Sequence, residues 1–158
     1  MGCKIWRVDQ DSRKFWGGYL IAGKGWILYY HVKNVSFEGL TDYKFYCFKG
    51  EPQYLYVSKG MENHATASVS FLTVDWQFAP FGRSDYKPLE YMPQKPSRFN
   101  EMVAVARSLS SGTHFLRVDL YEISGRVYFS ELTFSPCSGM MPFQPEEYDK
   151  QLGEMLIL

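Results

Sequence analysis

The sequence predicts an α+β fold: a mainly antiparallel sheet with flanking helices. Three observations carry this reading. Runs rich in aromatic and β-branched residues flank turn-forming tetrapeptides, as hairpin strands do. Residues 97–109 carry apolar side chains at helical spacing. A second pair of apolar runs, within residues 115–134, is joined by a short Ser-Gly-containing turn.

Taken in chain order, residues 1 to about 40 are the least readable, with glycines and charges in no clear period; only WILYYHV (26–32) suggests a strand. YKFYCF (43–48) and QYLYVSK (53–59) flank Lys-Gly-Glu-Pro and read as a hairpin. SVSFLTVDWQF (68–78) reads as another extended segment. A loop marked by Pro88, Pro93 and Pro96 follows, and Ser97 is the expected helix N-cap. Phe99, Met102, Val103, Ala106 and Leu109 then fall along one helical face, and Gly112 stops the helix. After the second hairpin, Pro145-Glu146-Glu147 suits a helix start. That helix should run to about residue 152, with Gly153 after it.

Bulk properties narrow the functional classes. With 158 residues and 46% apolar content the chain suffices for one modest core and one domain. The formal net charge is zero and the pI about 6.8, which gives no electrostatic case for a nucleic-acid partner, whose phosphates select a basic face. Aromatic residues make up 18%, read as a β-rich core rather than a stacking platform. Cys3, Cys47 and Cys137 are far apart and without metal-ligand spacing, as expected of reduced thiols in a cytoplasmic protein. His31, His64 and His114 also lack ligand spacing. Lys4, Arg7, Asp9 and Asp11 interrupt any apolar leader, so no secretory signal is expected. Met1-Gly2-Cys3 opens like a myristoylation site, but Trp6 stands where Ser or Thr belongs. The most apolar run, residues 19–30, is too short to cross a bilayer and contains Lys24.

The second hairpin, FLRVDLYEISGRVYFSELTFSPCSG (115–139), holds the chemistry. Asp119 and Glu131 sit in otherwise apolar strands, with Arg117 and Thr133 two residues away. A tight turn at Ser124-Gly125 pairs Ile123 with Arg126, sets Val118 opposite Glu131 and sends the acids to opposite faces. A three-residue turn, Ser124-Gly125-Arg126, sets Asp119 opposite Glu131 and Arg117 opposite Thr133. One face then carries Arg117, Asp119, Glu131 and Thr133; the other carries Leu116, Val118, Leu120, Leu132 and Phe134, with Ser130 its only polar member. The odd register is expected, because it segregates charge from the core. Opposed carboxylates need a cation, a shared proton or water between them. Mg²⁺ suits them, and Arg117 could fork a phosphate or carboxylate. The alternative is an Arg–Asp–Glu ion network on a solvated sheet face.

The hairpin resembles the metal-binding end of ATP-grasp enzymes such as the D-alanine–D-alanine ligases and the ribosomal-protein glutamate ligases. These have an R/G-V-D strand, a turn, and an E-x-N strand followed by a P-G loop. The wider match, in DYKFYCFKGEP (42–52), the helix, the hairpin and PFQPEEYD (142–149), is similar to the TupA-like ATP-grasp family. That family is often described as glycosyltransferase and is associated with bacterial cell-surface polysaccharide or teichuronopeptide synthesis. The resemblance spans residues 38–158 and leaves 1–37 unassigned. It implies the C-terminal half of an ATP-grasp fold, with Mg²⁺ and ATP as cofactors and a small-molecule or glycan-linked acceptor. By resemblance, Asp119, Glu131 and Thr133 are metal ligands, Thr133 standing where many ATP-grasp enzymes have Asn. Glu131 also bridges to the nucleotide, Lys44 approaches phosphates or substrate, and Arg117 faces the acceptor or the transferred phosphate. The Ser138-Gly139 loop offers backbone N–H groups to an anion.

Departures from the family pattern set the competing functions. Met61 stands about where the family has an arginine, with Lys59 an imperfect substitute. Residues 1–37 do not resemble the family's first half, with its lysine-bearing strand, glycine-rich loop and hinge acid; Glu38 is only a loose counterpart of that acid. The chain is thus expected to be truncated or one piece of a split site completed by a partner chain, with weak or no turnover alone. The readings to separate are an ATP-grasp ligase or transferase, a non-catalytic remnant keeping part of the Mg-nucleotide site, and an interaction module.

Overall fold

In a computed structural model, residues 41–59 and 67–156 of the chain are described. The sequence-predicted strand at 26–32, and Cys3, His31, Glu38, Met61 and His64, lie outside them. In order, the elements are β1 (Asp42–Phe48), β2 (Glu51–Lys59), β3 (Ser68–Thr73), β4 (Gly82–Arg83), α1 (Phe99–Ser110), β5 (Phe115–Ile123), β6 (Arg126–Thr133), a short turn of 3₁₀ helix (Pro136–Gly139), β7 (Phe143–Gln144) and α2 (Glu147–Glu154). Five strands form one sheet in the order β3-β2-β1-β5-β6, and every neighbouring pair is antiparallel. Strands β4 and β7 form a second, two-stranded sheet. The described residues are therefore α+β with a mainly antiparallel sheet, as the sequence predicts.

Alternation along the strands gives the large sheet two different faces. One packs Phe45, Leu55, Val57, Leu72, Leu116, Val118 and Leu120 against Phe99, Met102 and Ala106 of α1. The other is aromatic: Tyr46, Phe48, Tyr56 and Phe71 are covered by Phe81, Met141 and Leu152 from the connecting segments and α2. Central strand β1 contributes to both, so it is flanked by strands and covered on each side.

The first hairpin is present, and its turn is tight. Phe48 pairs with Glu51 across Lys49 and Gly50, both at positive φ (53° and 79°). This two-residue geometry follows the natural twist of paired strands. Strand β2 therefore begins at Glu51 and takes in Pro52, beside a register irregularity between Tyr46 and Cys47.

The predicted extended segment at 68–78 is half strand and half turn. β3 ends at Thr73, whose N–H donates to the Gln77 carbonyl (2.8 Å), while the Trp76 N–H donates to the Thr73 carbonyl (3.0 Å). The chain then doubles back, with Leu72 bridging to Phe78. Trp76, read as a strand residue, anchors the reversal: its indole N–H donates to the Pro93 carbonyl (3.0 Å) and its ring packs on Tyr43 and Phe99.

The helices also differ from expectation in detail. Ser97 does not cap α1; Arg98 is the N-cap residue and makes no side-chain cap bond. Glu122 of β5 takes over, accepting from the Ser97 hydroxyl (2.6 Å) and the Arg98 N–H (3.0 Å). The buried seam is Phe99, Met102, Ala106 and Ser110, with Val103 partly buried, whereas Leu109 is 40% exposed. Helix α2 includes Gly153 and ends at Glu154, so this glycine does not end it.

Met102 is fully buried in the α1-side core. Met102→Ala should cost about 2–5 kcal/mol in denaturant unfolding, whereas Leu109→Ala should stay within about 0.5 kcal/mol. Cys47 is buried with its thiol pushed by burial to about 11, against a lowering contact from Ser110, while Cys137 is exposed. At pH 8 iodoacetamide should modify Cys137 on the folded chain and Cys47 only after unfolding, as read by peptide mass mapping.

Candidate functional site

Hairpin β5–β6 brings the two acids face to face, but through a bulge rather than the turn. Ile123 pairs with Arg126 across Ser124 and Gly125, at φ 51° and 71°. The turn therefore has two residues, and the three-residue turn expected at 124–126 is corrected. A regular ladder from this turn would put Asp119 opposite Ser130. Instead the register shifts between Asp119 and Leu120: Leu120 pairs with Phe129 and Asp119 with Glu131. Ser130 is the extra residue of a β-bulge, which supplies the one-residue offset. Arg117 then pairs with Thr133, as the odd register required.

Strand β1 completes the constellation. Lys44 lies opposite Asp119, and Tyr46 opposite Arg117. Lys44, Arg117, Asp119, Glu131 and Thr133 thus share the sheet face away from α1, joined by Asp42. On the α1 side Leu116, Val118, Leu120 and Leu132 pack as expected, but Phe134 lies beyond the strand, 45% exposed.

Asp119 does not stand on an open, solvated face, whereas Glu131 keeps a third of its side chain exposed. Asp119 is fully buried. Its Oδ1 accepts from Arg117 Nε (2.7 Å); its Oδ2 accepts from Arg117 Nη2 (2.8 Å) and Lys44 Nζ (2.6 Å). Arg117 Nη2 also reaches Glu131 Oε2 (3.3 Å), and Lys44 Nζ also reaches Asp42 Oδ2 (2.5 Å). The charges alternate Asp42, Lys44, Asp119, Arg117, Glu131, leaving one net negative charge. Burial lowers the Lys44 pKa, but Asp119 and Asp42 outweigh it and raise it above the ordinary value. Arg117 behaves alike, burial opposed by its hydrogen bond and charge contact with Asp119. Burial holds the Asp42 carboxyl above its usual range, with Lys44 pulling it back. It likewise raises the neighbouring Tyr46 and Tyr121 phenols. Both cations stay charged across the physiological range.

Two oxygens in this cluster, Asp42 Oδ1 and Thr133 Oγ1, are buried and have no hydrogen-bond partner among the described residues. A buried polar atom without a partner is costly and marks a place for an absent donor or ion. Asp119, Glu131 and Thr133 are hard oxygen donors, the kind Mg²⁺ takes, and Mg²⁺ commonly uses one or two carboxylates with phosphate oxygens and water. Among the described residues no group of three or more His, Cys, Asp or Glu side chains is placed to hold a metal ion. These donors do not make a metal site by themselves; the oxygen donors are of the kind that share Mg²⁺ with phosphate and water.

The loop after β6 turns left-handed: Cys137, Ser138 and Gly139 have φ of 51°, 55° and 77°. Two non-glycine residues in that region represent stored strain of the kind found at ligand sites. The Ser138 N–H is already given to the Ser135 carbonyl (3.1 Å). Gly139 lines an apolar cavity of about 620 Å³ together with Tyr46, Phe48, Phe115, Phe134 and Met141.

Sequence reasoning missed two charged residues on this face. Asp42 was legible, since Asp-Tyr-Lys alternation puts Asp42 and Lys44 on one side of a strand. Arg83 was not, because it arrives from the small second sheet. Its Nε and Nη2 donate to Asp85 (2.8 and 2.5 Å), its Nη1 to the Cys137 thiol (3.8 Å), and it lies over the Tyr56 and Tyr86 rings. Tyr56 is the β2 neighbour of Lys44, so Arg83 borders the same face.

Strands β1, β5 and β6 of an antiparallel sheet thus gather three carboxylates, two cations and an unpartnered hydroxyl on one face. The chain belongs to the TupA-like ATP-grasp family, whose pattern it matches over residues 26–157. The match opens before residue 38, where the resemblance in the sequence begins. No curated protein and no solved structure matches the chain significantly. Family membership indicates a nucleotide-binding ligase or transferase, and ATP-grasp proteins generally bind ATP with Mg²⁺. Among the described residues no helix is long and apolar enough to cross a membrane.

Asp119→Ala leaves Arg117 and Lys44 facing a buried void. It should destabilise the chain by about 3–5 kcal/mol in urea or thermal unfolding. Asp119→Asn, which keeps the shape and one of the two acceptor oxygens, should cost less.

Proposed function

We propose that this chain provides the metal-and-phosphate end of an ATP-grasp site, in which Mg·ATP activates a carboxylate for ligation or serves a related transfer. The γ-phosphoryl group passes to the carboxylate, ADP leaves, and a nucleophile on the acceptor then displaces the phosphate. The acceptor is a small-molecule or glycan-linked component of bacterial cell-surface polysaccharide, of the teichuronopeptide type, and the setting is cytoplasmic, where ATP is supplied. The observation that carries the reading is the pairing of Asp119 with Glu131 on one sheet face beside Lys44 and Arg117.

The residues divide the work. Asp119, Glu131 and Thr133 would hold Mg²⁺, which when bound neutralises phosphate charge. Lys44 has three N–H donors, and Asp42 and Asp119 occupy two. The third is available to a phosphate oxygen. Asp42 orients Lys44, so its carboxylate acts through the ammonium. Arg117 presents a planar fork suited to the transferred phosphoryl group. In the left-handed turn Gly139 supplies the backbone at the cavity wall, while the Ser138 N–H stays with the Ser135 carbonyl. The glycine-rich loop, lysine-bearing strand and hinge acid of the family come from outside residues 41–59 and 67–156, on the same polypeptide or a partner chain.

A second reading is supported by the occupancy of Asp119. Both its oxygens already accept hydrogen bonds from cations. On that basis the cluster is a structural ion network in a non-catalytic remnant or an interaction module.

Thermal denaturation with Mg²⁺ and a non-hydrolysable ATP analogue separates these readings. A ligand at about a hundredfold its Kd adds about 2.7 kcal/mol, so the melting temperature should rise by several degrees, and Asp119→Asn should abolish the rise. No shift at saturating nucleotide refutes the proposal. Weak or absent steady-state ATP hydrolysis by the chain alone is expected. A robust rate abolished by Asp119→Asn would show that the chain needs no further elements.

A further inference from the structure

Asp119 and Glu131 are already bridged by a cation, and that cation is a side chain. Arg117 Nη2 donates to Asp119 Oδ2 and Glu131 Oε2 at 2.8 and 3.3 Å, and its Nε donates to Asp119 Oδ1 at 2.7 Å. We propose that Arg117 is a built-in stand-in for the divalent cation: it closes the acid pair in the free protein and gives it up only when a phosphate-bearing ligand arrives to receive the guanidinium. This rests on the proposed Mg-nucleotide site and concerns how that site is loaded.

Lone-pair accounting supports the exchange. A carboxylate offers about four acceptor positions. Asp119 has three in use, two by Arg117 and one by Lys44. The carboxylate is fully buried, so no water-facing oxygen is left for a new cation. One acceptor position remains by count, but it is enclosed, and repulsion from two cations already on the carboxylate favours loss of one donor when a divalent ion binds.

The structure also indicates which donor leaves. Lys44 is held by Asp42 as well as Asp119, and Asp42 Oδ1 is already buried without a partner. Withdrawing Lys44 would strip Asp42 of its remaining ion pair inside the protein, a costly state. Withdrawing Arg117 leaves Asp119 with Lys44 and the incoming ion, and frees Glu131, which is one-third exposed. Arg117 itself reaches the protein edge, with 12% of its side chain exposed, and a phosphate matches its fork. Thr133, opposite Arg117 on the strand pair, carries the unpartnered hydroxyl, a further oxygen donor for the ion.

The consequence is reciprocal coupling: the ion and the phosphate ligand each strengthen binding of the other. The test uses Mn²⁺ as probe on the full chain, with free Mn²⁺ measured by electron paramagnetic resonance, with and without a non-hydrolysable ATP analogue. Wild type should bind Mn²⁺ about tenfold or more tightly when the nucleotide is present. Arg117→Gln, checked for folding by circular dichroism, should bind Mn²⁺ more tightly than wild type without nucleotide, and nucleotide should improve that affinity less. Arg117→Lys should fall between the two, giving a second variant that keeps the charge. Equal Mn²⁺ affinity of wild type with and without nucleotide overturns the inference, as does weaker Mn²⁺ binding by Arg117→Gln alone. If wild type binds Mn·nucleotide in an Asp119-dependent way while these differences are missing, only the exchange fails. If neither Mn²⁺ nor nucleotide binds in any combination, the site itself fails and the exchange with it.

Discussion

The buried carboxylate of Asp119, held between Lys44 and Arg117, is the constraint on which the rest of the structure turns. A charge with no exposed surface persists only where cations and hydrogen bonds replace its water. Meeting that condition draws one residue from β1 and another from β5 itself, and it ties Glu131 of β6 into the same chain of charges. Three strands are thereby fixed in register by electrostatics as well as by their ladders. The aliphatic packing under α1 fixes the opposite face of those strands. Between them, the two faces leave little freedom for any of the three to slide by one residue.

The sequence made the class of fold and the membership of the charged cluster legible, because both depend on alternation. Polar and apolar residues alternate through β5 and β6, and only one pairing offset keeps the charges together. That argument reached the right opposition of Asp119 and Glu131 while assigning the wrong cause. Hairpin reasoning treats the ladder as regular, so it placed the extra residue in the turn; the strands absorb it at Ser130 instead. Asp42 was missed although the same alternation places it beside Lys44; Arg83 left no such signal, since tertiary folding alone brings β4 beside Tyr56.

Other departures share one physical origin, the substitution of a long-range partner for a local one. Ser97 has the chemistry of a helix cap, yet Glu122 of β5 supplies the acceptor. Trp76 has the propensity of a strand residue, yet the Pro93 carbonyl and two aromatic rings make it the anchor of a reversal. Helical spacing selected Leu109 for the core, but the packed seam continues to Ser110 on the neighbouring stripe. In each case the local preference is genuine and a contact distant in sequence outweighs it.

The irregularity at Ser130 matters beyond the acids. Among the described residues β6 is the last strand of the five-stranded sheet, with a row of amide groups on its outer side. A straight border of that kind is a template on which a foreign chain can add itself. An inserted residue bends and over-twists the border and spoils its repeat. The inserted residue that sets Asp119 opposite Glu131 therefore also makes this border a poorer template for strand addition than a straight one.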